Sequence, residues 1–129
     1  MRVLVTGSRT WRDHEPIHAA LDKILTAHPG MVLVHGACRD GADAIADRWA
    51  ILRGVQVERH PAKWRTYGRS AGPRRNLAMV ETQPDLCLAF IGPCRDTKCG
   101  RIDAHTSHGA TGCADLAESC GIETRRWTS

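Results

Sequence analysis

The chain has 129 residues, enough for one domain with one sizeable core, and its 42% hydrophobic and 25% charged residues are ordinary for a globular protein. The start has no leader pattern and no apolar run approaches about 18 residues, so we expect neither secretion nor membrane insertion and predict a cytoplasmic protein. The net charge of +4 favours anionic small molecules. A nucleic-acid-binding protein usually has a more basic face interleaved with aromatic residues, and this chain has only one Tyr and one Phe, so we expect no nucleic-acid partner.

Short apolar runs alternate with amphipathic stretches along the chain. The periodicity predicts strands over 2–6, 31–35, 55–60, 85–91 and 122–127, and helices over 13–28, 42–53, 73–82 and 109–120. The third strand alternates polar and apolar residues, as an edge strand does, whereas the fourth is apolar on both faces and belongs inside the sheet. Residues 61–71 are predicted as a loop and residues 92–108 as an irregular insertion. The alternation predicts one α/β domain, 1–129, with a mainly parallel five-stranded sheet and helices on both faces.

One five-residue phrase occurs twice with a single substitution, at 3–7 and at 32–36. Each copy is a strand that ends in a glycine, where the backbone turns tightly and a ligand can approach it. After the first copy, the Ser8 hydroxyl and the loop N–H groups could bind a phosphate that Arg9 neutralises. A plain strand–helix turn with a solvent-facing arginine explains the same residues.

The second turn places two glycines, Gly36 and Gly41, on either side of a loop that opens a helix. Small residues at this position let a ligand come close to the helix N-terminus, which attracts anions. Asp43, in the first helical turn, either complements the helix dipole or accepts a hydrogen bond from a ribose hydroxyl.

Two adjacent arginines, Arg74 and Arg75, stand at the start of the predicted third helix. Positive charge is unfavourable there because the helix N-terminus is itself partly positive, so a bound anion would explain the pair. Asn76 could hydrogen-bond a base or a ribose, and Trp64 or Tyr67 could stack on a base or cover an apolar patch. A solvated basic face is the alternative interpretation.

Cysteines and histidines cluster in the insertion. Four of them have spacings near those of zinc sites: Cys94, Cys99, His105 and His108. A structural zinc would order a polar segment that buries too little apolar surface to order itself. The fourth ligand stays open, since His108 could face a phosphate while Cys113 or water completes the shell. Two cysteines and two histidines in a flexible loop are the other interpretation.

The two glycine turns and the arginine pair, in this order along the chain, resemble the SLOG superfamily. More narrowly, they resemble its DUF2493 branch, which is related to YspA. Other members are the DNA-processing protein DprA and the LOG phosphoribohydrolases. The resemblance covers nearly the whole chain and implies a Rossmann-like three-layer α/β/α domain with a nucleotide-like ligand at the C-terminal edge of the sheet. The contacts it implies are Gly7, Ser8, Arg9, Gly36, Gly41, Arg74, Arg75, Asn76, Ser107 and Gly109.

The same resemblance bears on catalysis. The LOG hydrolases carry a glutamate that supports glycosidic cleavage, and Cys113 stands where that acid would be. We therefore predict a module that binds or senses a nucleotide or nucleotide-derived ligand, with a homodimer as a possible assembly. The alternative is a hydrolase that cleaves a nucleotide N-glycosidic bond with Arg75 and an unidentified acid. A DNA-associated module, by analogy with DprA, fits the weak charge poorly.

Overall fold

The computed structural model describes residues 1–92 and 108–128. The strands are β1 (Arg2–Gly7), β2 (Val32–His35), β3 (Gln56–Arg59), β4 (Leu86–Ile91) and β5 (Glu123–Thr128). The helices are α1 (His14–Ala27), α2 (Ala42–Arg53), α3 (Trp64–Tyr67), α4 (Ala71–Glu81) and α5 (His108–Ser119).

The five strands form one sheet in the order β3-β2-β1-β4-β5, and every pairing is parallel. This confirms the predicted α/β class with a mainly parallel five-stranded sheet. The predicted edge strand, β3, lies at an edge, and β4 is buried along its whole length. The strand order reverses between β1 and β4, which is where Rossmann-like sheets open a crevice at their C-terminal edge.

The two faces of the sheet have separate cores, because successive side chains of a strand point to opposite sides. On one face, β1 residues Val3 and Val5 pack with Ile17 of α1 and Trp49 of α2. On the other face, Leu4 of β1 belongs to a core shared with α4 and α5. The molecule is therefore a Rossmann-like three-layer sandwich, with α1 and α2 on one side of the sheet and α4 and α5 on the other.

Local signals fix the ends of the first two helices. The Asp13 carboxylate accepts a hydrogen bond from the Glu15 N–H and caps α1, and Gly54 ends α2 in a left-handed conformation, with φ of 70°. Of the helices in the described part of the chain, none combines the length and the apolar character needed to cross a membrane.

The prediction of a loop over 61–71 is wrong in part, because this segment contains short helical turns. It contains the single turn of α3 and a 3-10 turn over Gly68–Ser70. The N–H groups of Thr66 and Tyr67 both donate to the Lys63 carbonyl, at 3.0 Å. Neither element buries a residue, so there is no apolar periodicity from which a helix could be predicted.

Candidate functional site

The turns that follow β1 and β4 are tied together by Ser8. The Ser8 N–H donates to the Phe90 carbonyl at 2.9 Å, and the Gly92 N–H donates to Ser8 Oγ at 2.7 Å. The Ser8 carbonyl accepts from the Ala42 N–H, the first of α2, at 3.3 Å. Because Ser8 is 3% exposed and bonded through all three groups, the structure gives it a packing role between three elements. A ligand contact at Ser8 stays a prediction.

The glycines of the first two motifs make this packing possible. Gly41 has a φ of 80°, and a Cβ there would overlap the Ser8 carbonyl and lie 2.6 Å from Cα of Arg9. A Cβ at Gly7 would overlap Cβ of Ala42, the first residue of α2, and lie 2.8 Å from the Phe90 carbonyl oxygen. Both glycines therefore serve a close approach of the β1 turn to the start of α2, so their contribution to ligand binding stays a prediction.

A buried carboxylate holds the turn after β2. Asp43 is 5% exposed, and its Oδ2 accepts from the N–H of Gly36 at 3.1 Å and from that of Cys38 at 3.4 Å. Ala37, between them, has a φ of 58°, a conformation that few non-glycine residues adopt. Burial raises the pKa of the Asp43 carboxyl, while the charges of His35 and Arg75 act in the opposite direction. Asp43 thus supports the loop from inside, a role that the sequence did not suggest.

Arg75 reaches from α4 across to the same turn. Its Nη1 donates to the Gly36 carbonyl at 2.6 Å, and its Nε donates to Oδ1 of Asn76 at 2.8 Å. A Cβ at Gly36 would run into the Arg75 guanidinium and lie 3.0 Å from Asp43 Oδ2. The structure therefore brings together Gly36, Arg75 and Asn76, as the predicted site requires, and adds Asp43 to them.

The other predicted arginines lie against aromatic rings. The guanidinium of Arg74 is 4.4 Å from the ring centre of Tyr67, and its Nε donates to Ser70 Oγ at 3.1 Å. The guanidinium of Arg9 is 5.7 Å from the ring of Trp64. Among the described residues, neither arginine forms an ion pair with an acid, so each is held against a ring and keeps its charge.

An open cleft of about 380 Å³ lies between the end of β3 and the first turns of α4. Its polar lining is Arg59, His60, Lys63, Tyr67, Arg74 and Arg75, and Pro61, Ala71 and Ala78 supply the apolar part. Within the described residues, no Asp or Glu lines it. We call this space the basic cleft.

Three cleft residues were missed by the sequence analysis: Arg59, His60 and Lys63. The only signal was a pair of basic residues, Arg59 and His60, at the end of the third predicted strand, where parallel strands present ligand contacts. Arg59 Nε donates to Asp47 Oδ1 at 2.8 Å, and this carboxylate also bonds His35 Nε2 at 2.7 Å. Asp47 of α2 therefore joins the end of β2 to the end of β3.

The cysteines near the site are thiols of low reactivity. Burial raises the pKa of Cys113 to about 11, against hydrogen bonding from Thr6 and the charge of Arg75. Burial and the charge of Asp43 also raise the pKa of Cys38. Both groups are therefore protonated at neutral pH, and a protonated thiol is a poor nucleophile.

The predicted structural zinc site is corrected. In the described part of the chain, no group of three or more His, Cys, Asp or Glu is arranged to hold a metal ion. Cys94, Cys99 and His105 lie outside the described residues, and Cys113 is buried in the core shared by α4 and α5. Cysteine and histidine spacing alone is weak evidence, because a site also needs tetrahedral placement of its ligands. We therefore assign no zinc to the described part of the chain.

The two remaining predicted contacts, Ser107 and Gly109, stand in the sequence on either side of His108. Ser107 lies outside the described residues, and Gly109 follows His108 at the start of α5.

Comparison with known proteins decides the family. Residues 1–67, from β1 through α3, match the model of the YAcAr family, described as the YspA, cpYpsA-related SLOG family. The chain belongs to the YAcAr family. This confirms the SLOG resemblance that the three motifs indicated, although Arg74 and Arg75 lie beyond the matched range.

The chain is also similar to an individual protein of a phage. The chain is 48% identical over 95 residues to the Gene 61 protein of Mycobacterium phage D29, a match that covers 69% of this chain and 75% of that protein. No solved structure matches this YAcAr protein.

Proposed function

We propose that this protein binds a phosphate-bearing nucleotide or nucleotide-derived ligand in the basic cleft. One observation carries the proposal: four cationic side chains, Arg59, Lys63, Arg74 and Arg75, line one cavity from which described acidic residues are absent. Like charges gathered in a concave surface repel each other and attract anions, so an anionic occupant relieves the repulsion. The volume of about 380 Å³ falls in the range of small-molecule sites.

The way the arginines are held supports the same proposal. Arg75 is fixed by the Gly36 carbonyl and the Asn76 amide, and Arg74 by the Tyr67 ring. These partners are neutral, so each guanidinium keeps its charge and its remaining N–H donors for a phosphate oxygen. Membership of a SLOG family favours a nucleotide over other phosphate compounds, and the half-exposed rings of Trp64 and Tyr67 are available to a base.

The test is a binding assay with nucleoside monophosphates, diphosphates, cyclic nucleotides and ADP-ribose, by thermal shift and calorimetry. A ligand that binds only the folded protein adds about 2.7 kcal/mol at 100 times its Kd. We expect Arg74→Ala to weaken binding roughly tenfold, because a charge-assisted phosphate contact is lost.

Arg65→Ala is the matched control, since Arg65 is exposed on α3 and does not line the cleft. If no compound in the panel binds, or if the two variants lose affinity equally, the proposal is wrong.

A second candidate, hydrolysis of a nucleotide N-glycosidic bond, is favoured by Asp43. The chain lacks the LOG glutamate, but Asp43 is a carboxyl of raised pKa that lies against Gly36, as Arg75 does. A carboxyl of raised pKa can act as a general acid, and because Asp43 does not line the basic cleft this candidate requires the ligand to reach the turn after β2. Release of free base, followed by chromatography, tests this. We expect Asp43→Asn to slow it roughly 100-fold and exposed Asp40→Asn to leave it unchanged. Binding without base release would exclude this candidate and leave the first intact.

The homodimer, the cytoplasmic location and the exclusion of nucleic acid stay predictions. Size-exclusion chromatography with light scattering would test the first of these directly.

A further inference from the structure

The basic cleft carries more positive charge than one phosphate group balances. Arg59 is paired with Asp47. Among the described residues, no ion pair involves the other three cations, Lys63, Arg74 or Arg75. The hydrogen-bond partners of Arg74 and Arg75 are neutral groups, as described above. About three positive charges of the cleft therefore have no ion-pair partner among the described residues, although the charge of Arg75 also acts on the buried Asp43 carboxyl.

The charge of the occupant follows from this count. A single phosphate ester carries about 1.5 to 2 negative charges at neutral pH. A terminal diphosphate carries about one more, because the second phosphoryl group adds one strongly acidic oxygen. The unpaired charge of the cleft thus matches two phosphoryl groups better than one.

The placement of the cations points the same way. Lys63 follows β3 and lies just before α3, whereas Arg74 and Arg75 come from the first two turns of α4. The positive charge is therefore contributed by two separate segments that line one cavity. Two linked phosphoryl groups offer more acceptor oxygens to the donors of both segments than a single phosphate does.

We propose that the ligand of the basic cleft carries a terminal diphosphate, and that Lys63 and Arg74 select it over a monophosphate. The inference rests on the proposed function, since it concerns the same cleft. The diphosphate describes only the anionic end of the ligand, and the nucleobase is not identified.

Calorimetry at constant ionic strength tests the inference with AMP against ADP and with phosphate against pyrophosphate. We expect the diphosphate of each pair to bind at least about tenfold more tightly. Lys63→Ala and Arg74→Ala should each reduce that preference, and Arg65→Ala should preserve it. Circular dichroism confirms that each variant is folded. ADP that binds more tightly than pyrophosphate identifies a nucleotide as the source, and equal binding identifies free diphosphate.

The possible failures are separable. If AMP and ADP bind equally, or if the preference survives both substitutions, the diphosphate inference is overturned while nucleotide binding stands. If neither nucleotide nor pyrophosphate binds, the proposed function falls together with it.

Discussion

At Gly36 the lack of a side chain lets two charged groups reach one backbone unit. The Gly36 N–H donates to Asp43, and its carbonyl accepts from Arg75. The sequence singled out Gly36 and Arg75 separately, the first as a turn residue and the second as a cation in an unfavourable position. Their contact joins residues 39 positions apart, so no local pattern could predict it.

Replacement of Gly36 by alanine tests whether this contact matters for binding. The new Cβ would lie 2.7 Å from Cζ of Arg75, so the guanidinium must move. We expect a roughly tenfold or greater loss of nucleotide affinity, because displacement removes an oriented donor. Calorimetry measures it. Gly30→Ala is the control, since a Cβ there meets nothing within 4 Å. Unchanged affinity in Gly36→Ala would mean that Arg75 does not depend on this turn.

At the scale of elements, the sequence predicted more of the fold than of the site. The predicted strands and the four long helices are present, because periodicity reports which side of each element is buried. The basic cleft was not predictable in the same way. Arg59 and Lys63 line one cavity with residues of α4, and which distant residues share a cavity is decided by tertiary packing.

Helix α4 presents Arg74 and Arg75 and depends on its buried face for its position. Its start has no side-chain cap and no acid in the first turn, so local signals stabilise it weakly. Met79, 1% exposed, and Val80 attach it to the core shared with α5.

We expect Met79→Ala to cost about 2–5 kcal/mol in the free energy of unfolding, since it leaves a cavity in that core. Leu77, on the same helix, is 45% exposed, so Leu77→Ala should cost only about 0.5 kcal/mol. Urea denaturation measures both. Equal losses would show that α4 is not held by its buried face.

Acid stability is a property of the whole molecule, because carboxylates of lowered pKa join elements in several places. A hydrogen bond from Trp49 lowers the pKa of Asp22, and one from Arg2 lowers that of Glu58. For Asp47, burial raises the pKa, but hydrogen bonds from Arg59 and His35 outweigh it and the pKa is lowered. A lowered pKa means that the ionised form favours the folded state. This stabilisation is present above the ordinary values of 3.8 and 4.5 and is lost as the pH falls through the lower folded values.

Asp47→Asn isolates one of these groups. We expect its melting temperature to be lower than that of the unsubstituted protein at pH 7. The difference should shrink as the pH falls below 3.8 and through the lowered folded pKa of Asp47, because the carboxyl is then protonated in both states of the parent. Asp43 contributes a pH dependence of opposite sign, because its raised pKa means that the folded protein loses stability as the pH rises. The pH dependence of the whole protein therefore mixes both effects, and only the difference between a variant and its parent isolates Asp47. Glu81→Gln, at an exposed position, is the control. A difference that does not change with pH would contradict the assignment.

The two segments that line the basic cleft are separated in the chain by α3. A ligand that contacts Lys63 and Arg74 together would act as a reversible cross-link, closing a short loop whose own elements bury no residue. Closure of a loop removes conformational freedom from its open states. Backbone amides of α3 should therefore exchange hydrogen more slowly when the ligand is bound, while amides of the fully buried β4 change little. Ligand binding in the basic cleft would then be measurable as slower hydrogen exchange in α3, a helix that buries no residue.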